Sequence, residues 1–186
     1  MRLMTFYPRR MGAALLLLAL AGCATPPTPA TYAQETPTLD LQQYFNGTLD
    51  AHGIFQDRAG KVVRRFTVLM RASWQGDTGT LDEDFTYADG SRQRRVWTLR
   101  KTAPGRFIGT APDVIGEAVG EVAGNALRWQ YVLALPVDGT VYHVDFEDWM
   151  FLMDDKVMLN RAAMSKFGVS LGAVTLSFSK RAQVAP

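Results

Sequence analysis

The sequence predicts an all-β protein, a single antiparallel up-and-down meander of about eight to ten strands that closes into a barrel. Turn signals recur from Tyr44 onward: Asp57-Arg58-Ala59-Gly60, Gly76-Asp77-Thr78-Gly79, Asp89-Gly90, Pro104-Gly105, Asp138-Gly139 and Asp154-Asp155. The segments between them alternate in hydropathy and are rich in Val, Thr, Phe, Tyr and Trp, the side chains that suit a pleated, half-buried surface. No segment sustains a 3.6-residue apolar period, so no long amphipathic helix is expected. Closing such a meander removes its exposed edges.

In chain order, Arg2, Arg9 and Arg10 precede an apolar stretch from Met11 to Ala21, which runs into Leu20-Ala21-Gly22-Cys23. A charged region followed by an apolar region is the order of a secretory signal. The stretch is short for a membrane span, which takes about 20 apolar residues. The small residues before the only cysteine resemble the bacterial lipobox. That resemblance implies that residues 1–22 are removed and that Cys23, carrying palmitate or a similar acyl chain, becomes the new N-terminus. Ala24 after the cysteine implies, by the same resemblance, a lipid anchor in the outer membrane with the protein on its periplasmic face. Residues 23–40 are rich in Pro, Thr and Ala and read as a flexible tether.

Cleavage would remove three of the 20 Lys and Arg and none of the 18 Asp and Glu, taking the net charge from +2 to about −1. No basic stripe survives, which argues against nucleic acid as a partner. With Cys23 acylated, no thiol remains for a disulfide, a metal or a nucleophile.

The barrel domain is expected over 41–180, with a tail at 181–186. Strands are expected near 43–55, 62–75, 80–88, 91–101, 105–111, 125–137, 140–152, 156–165 and 170–180. The stretch 109–125 is the least regular, with Gly116, Gly120 and Gly124 four apart. It reads as a short helix or a loop, which at a barrel mouth would act as a lid. It lacks the Lys-Ser/Thr of a phosphate loop.

Hairpin geometry sets faces. With Asp138-Gly139 as a two-residue loop, Trp129 faces Asp148, Tyr131 faces Phe146, Leu133 faces Val144 and Leu135 faces Tyr142. With Asp154-Asp155 as a two-residue loop, Met150 faces Leu159, Leu152 faces Val157 and Asp148 faces Arg161. Opposed residues share a face, so the inward wall would carry one acid and one base among Trp129, Phe146 and Met150. Two readings of Asp148–Arg161 stay open: an ion pair that fixes register, or a polar anchor where a ligand carboxylate or phosphate meets Arg161. With Asp89-Gly90 as the loop, Asp84 faces Arg95 and Glu83 faces Val96. Asp82 and Asp84 then belong to a solvated face crossed by ion pairs, whereas Glu83 falls on the apolar side as an internal acid.

Several of these segments together resemble the DUF3833 family of bacterial lipoproteins: Tyr44-Phe45-Asn46-Gly47, Gly53-Ile54-Phe55-Gln56-Asp57-Arg58, Leu81-Asp82-Glu83-Asp84-Phe85, Asp148-Trp149-Met150, Asn160-Arg161 and Lys166-Phe167-Gly168. The resemblance covers residues 40–180 and supports one compact domain and a lipid anchor. It implies no activity and no catalytic residues. From the hairpins, the barrel is expected to be lipocalin-like.

His52 and His143 fall on different strands without a ligand-spaced neighbour, so no metal site is expected, and no cofactor is implied. The leading expectation is a binding module: a barrel that holds a small apolar or lipid-like molecule against Asp148, Arg161, Trp129, Tyr131, Phe146, Met150 and Glu83. The alternatives are a structural or assembly lipoprotein with a filled barrel, and an enzyme acting on a lipid-like substrate.

Overall fold

The computed structural model describes residues 25–182. Ten strands form one closed antiparallel barrel in sequence order, with β1 sealing against β10. They are β1 (Gly47–Asp57), β2 (Val62–Gln75), β3 (Thr78–Tyr87), β4 (Arg92–Ala103), β5 (Arg106–Thr110), β6 (Val114–Ala123), β7 (Ala126–Val137), β8 (Thr140–Leu152), β9 (Val157–Lys166) and β10 (Val169–Lys180). The all-β meander is thus the observed fold, at the upper end of the expected strand number.

Two elements differ from expectation. Residues 114–123 form a strand, not a helix or loop. β6 breaks its pairing with β7 between Ile115 and Val119, and Gly116 takes a φ of 71° there. Across the break β6 carries two more residues than β7, so 116–117 bulge from the ladder while Val114, Ala118 and Gly120 all stay on the inward side. Gly120 has a packing reason: a Cβ at this position would lie 2.2 Å from the Trp129 ring.

The second difference is the N-terminal segment. Instead of a tether extending to residue 40, the chain packs on the barrel from the short 3-10 turn at Pro29–Tyr32 onward. Tyr32 sets its ring edge-on against Trp149 and Phe151 on the outer wall. The Leu39 N–H donates to the Gly124 carbonyl at 2.8 Å. Gly124 must be glycine here, because a Cβ would fall 1.7 Å from the Tyr32 carbonyl oxygen. A single-turn helix, α1 (Leu41–Tyr44), follows, with the Asp40 carboxylate capping the Gln43 N–H. Leu41, Tyr44 and Phe45 are buried. The Tyr44 hydroxyl donates to the Lys156 carbonyl, and the Trp74 indole N–H donates to the Phe45 carbonyl at 2.8 Å. This segment is the floor of the barrel. The hairpins β1–β2, β3–β4, β5–β6, β7–β8 and β9–β10 gather at the other end as its mouth.

The outer wall is polar. Arg71–Asp84, Arg94–Asp82 and Arg128–Glu147 each pair at 2.7 Å across neighbouring strands. Exposed pairs of this kind contribute about 0–1 kcal/mol each. They mark a surface that faces water, the reverse of a lipid-facing barrel wall. The apolar residues, Leu49, Met70, Val144 and Met158 among the most buried, point inward.

Candidate functional site

Hairpin loops decide which side chains enter the barrel. At β7–β8 the loop is the two residues Asp138 and Gly139, with φ of 49° and 80°, as a type I′ turn requires. Trp129 pairs with Asp148, Tyr131 with Phe146, Leu133 with Val144 and Leu135 with Tyr142, as the sequence predicts. At β8–β9 the loop is three residues long. The Met153 N–H donates to the Val157 carbonyl at 2.8 Å. The Asp154 carboxylate accepts the Lys156 and Val157 N–H groups inside the turn. One extra residue moves the register by one and exchanges the faces of β9. Asp148 therefore opposes Ala162, and Arg161 opposes Trp149 on the exposed outer wall. The expected Asp148–Arg161 pair does not form. Asn160 takes the inward place, buried against Met150, and its amide donates to the Trp149 carbonyl.

The same correction applies at β3–β4. The loop is Ala88, Asp89 and Gly90, closed by the Tyr87 N–H to the Ser91 carbonyl at 2.9 Å. Gly90 has a φ of 83°, the left-handed position of a three-residue hairpin. Glu83 consequently opposes Arg95, not Val96, and Asp84 opposes Arg94. The cation inside the barrel is Arg95.

These registers leave an interior cavity of about 610 Å³ running from Leu41 and Phe45 on the floor to Val63, Arg64 and Val137 at the mouth. Of the residues singled out from sequence, Trp129, Tyr131, Phe146, Asp148, Met150 and Glu83 all line it, and Arg161 does not. Cys23 lies outside the described residues. The wall is largely aromatic: Tyr131 stacks on Phe146 at 5.0 Å and meets Trp97 edge-on at 5.4 Å, and Trp97 meets Trp129 edge-on at 5.9 Å.

Set into this wall is one polar cluster. Arg95 donates from Nε and a terminal nitrogen to both carboxylate oxygens of Asp113, at 2.7–3.0 Å. Asp113 sits in the β5–β6 connection, and the Arg95 side chain keeps only 15% of its exposure. Tyr131 directs its hydroxyl at Asp148 Oδ2, 3.5 Å away. Glu83 and Asp148 retain 9% and 6% of their exposure. One oxygen of each, Glu83 Oε2 and Asp148 Oδ1, is buried without a hydrogen-bond partner.

Burial dominates the titration of both acids. It pushes Glu83 up to about 7, with Asp113 and Asp82 adding to the rise and Arg95 and the Trp97 indole opposing it. Burial likewise pushes Asp148 up to about 7, opposed by the Tyr131 hydroxyl and Arg95 and reinforced by Glu83. The Tyr131 hydroxyl is pushed well above its ordinary range by burial and then by Asp148, so it stays a donor. Arg95 and Asn160 escaped the sequence reading because each depended on a loop one residue longer than assumed. The doubled cap of Asp89 on Ser91 was the local signal for the first of these loops.

His52 and His143 are both exposed. Among the described residues, no group of three His, Cys, Asp or Glu converges as a metal site would require.

Fold and site together define a small closed β-barrel with an apolar cavity and one internal acid–base cluster. The chain belongs to the DUF3833 family, described as proteins of unknown function, whose model matches residues 17–180. Among solved structures it resembles the S-type phycobiliprotein lyase CPES from Guillardia theta, at 7% identity and a TM-score of 0.56, covering 86% of this chain and 100% of that one. It also resembles Rv2717c from M. tuberculosis, at 15% identity and a TM-score of 0.55, covering 80% of this chain and 99% of that one. At these identities the likeness is one of fold. No curated protein matches significantly.

Proposed function

We propose that this protein is a binding barrel that holds one small apolar or amphipathic, lipid-like molecule, and that it does so as a lipoprotein anchored through Cys23 at the periplasmic face of the outer membrane. The observation that carries the reading is the cavity. Its volume of about 610 Å³ falls within the range of roughly 300–1,000 Å³ typical of small-molecule sites. A mostly apolar wall with one polar cluster is also the usual composition of such sites. A barrel serving only as a structural body would fill its interior with side chains.

The mouth supports the same reading. Phe167, at the tip of β9–β10, is 90% exposed, and Val141, Val169 and Val137 beside the same end are also exposed. An apolar rim lowers the cost of passing an apolar molecule from a membrane or carrier into the barrel. Residues 29–45 pack at the floor. An acyl anchor a few residues earlier would hold the barrel floor-down and leave the mouth facing away from its own membrane. A second reading, an enzyme acting on a lipid-like substrate, draws on the same two carboxyls, because acids titrating near neutrality suit proton transfer.

Native mass spectrometry of the mature chain, purified without detergent, is expected to show one bound amphiphile per barrel. A chain that carries nothing and takes up no added amphiphile would overturn the binding reading. A bound species that turns over to product would favour the enzyme. Cys23→Ser is expected to leave the uncleaved precursor in the inner membrane. Cleavage and arrival of that variant at the outer membrane would refute the anchor.

A further inference from the structure

We propose that the barrel selects a ligand whose head is a hydrogen-bond donor, above all an ammonium group, and rejects one whose head is a carboxylate. The inference rests on the reading of the cavity as an amphiphile site and specifies its chemistry. An interior arginine suggests an anion site at first sight. Arg95, however, is already matched by a two-oxygen contact with Asp113 at 2.7–3.0 Å. What the cluster leaves over is acceptors. Glu83 on β3 and Asp148 on β8 each hold a buried oxygen without a partner, and both side chains line the cavity.

The charged and titratable groups that act on these two acids come from four places in the barrel. Arg95 approaches from β4, Asp113 from the β5–β6 connection and Tyr131 from β7, with Asp82 on the far side of β3. Once Arg95 and Asp113 cancel, the two acids are the unmatched charge. An ammonium, hydroxyl or N–H entering the aromatic slot donates to the two orphan oxygens and completes the cluster. A carboxylate would bring a third acid against two, in surroundings where Coulomb repulsion is weakly screened. Ammonium heads gain twice, because the ring faces of Trp97, Trp129 and Tyr131 attract cations.

Three probes of equal chain length separate the alternatives: dodecylamine, dodecanol and dodecanoate, titrated calorimetrically into the mature chain below their micelle or solubility limits. Dodecylamine is expected to bind at least about tenfold more tightly than dodecanoate at pH 8. Its affinity should rise roughly tenfold between pH 6 and pH 8 as the two acids ionise, while that of dodecanol changes little. In the Glu83→Gln, Asp148→Asn double variant, dodecanol binding should persist and the amine advantage should vanish. The amides preserve shape, and a thermal melt confirms the fold. Dodecanoate binding as tightly as dodecylamine, or an amine preference that survives in the double variant, would overturn the inference and leave the cavity reading standing. Failure of all three probes to bind would overturn both.

Discussion

At pH 8 the Glu83→Gln, Asp148→Asn double variant is expected to melt on the order of 10 °C above the wild type, with the two proteins nearly equal at pH 4. Both acids are lifted to about 7 in the folded barrel, first of all by burial. In the unfolded chain they titrate near 4. Below pH 4 they are protonated in both states and cost nothing. Between about pH 4 and pH 7 the unfolded chain releases protons that the folded barrel retains, so stability falls as pH rises. Above about pH 7 both states are ionised and the loss levels off. Each group can cost up to roughly 3–4 kcal/mol on this account. The total is less than the sum, because Glu83 is itself one of the causes lifting Asp148 and coupled sites share their shifts.

Amides cannot ionise, so the variant should lose the pH dependence along with the cost. For a domain of this size, each kcal/mol is worth about 2–4 °C in Tm. Scanning calorimetry from pH 4 to pH 9 tests this. Wild type and variant curves running parallel across the whole range would mean that the two carboxyls titrate as ordinary exposed acids. A protein that keeps two such acids in its interior gives up stability at neutral pH, and groups shifted in this way concentrate at functional sites.

Much of this fold was legible because a closed meander announces itself through turns. Asp138-Gly139 gave not only a hairpin but its register, since a type I′ turn fixes both loop length and strand twist. That single turn placed Trp129, Tyr131, Phe146 and Asp148 on one face, and the barrel keeps them there. β6 was hidden because its pairing breaks between Ile115 and Val119 and because Gly120 answers to the Trp129 ring packed against it, a tertiary demand that leaves no local pattern. Residues 23–40 read as a tether because Pro, Thr and Ala lack an apolar period. The segment is ordered instead by a few contacts, Tyr32 on Trp149 and Leu39 under Gly124.

The polar cluster shows how much rides on one residue of loop length. Asp-Gly and Asp-Asp both read as two-residue turns, yet the Asp89 and Asp154 side chains each fold back on the backbone ahead of them and make three-residue loops. Each extra residue inverts a strand. The acids, Glu83 and Asp148, were placed inside correctly because their own strands were set by other constraints. Their basic partner was assigned to the wrong strand.

That exchange of partners gives the second large effect. Arg95→Met is expected to destabilise the barrel by about 3 kcal/mol or more, whereas Arg161→Met should fall within about 0.5 kcal/mol of the wild type. Arg161 is exposed on the outer wall opposite Trp149, and exposed substitutions away from special features have small effects. Arg95 is largely buried against Asp113. Removing one member of a buried pair costs about 3–5 kcal/mol, because the other charge is left uncompensated. Partial exposure of Asp113 places the cost toward the lower end. The deficit should also grow with pH. Arg95 holds Glu83 and Asp148 down, so without it both acids are pushed higher, and the folded state loses more as the unfolded chain ionises. Urea denaturation at pH 5 and pH 8 measures the two variants side by side. The barrel register requires Arg95→Met to be the damaging change, with the larger loss at pH 8. The opposite ranking, with Arg161→Met the severe variant, would put Arg161 inside and undo the assignment of the cavity wall.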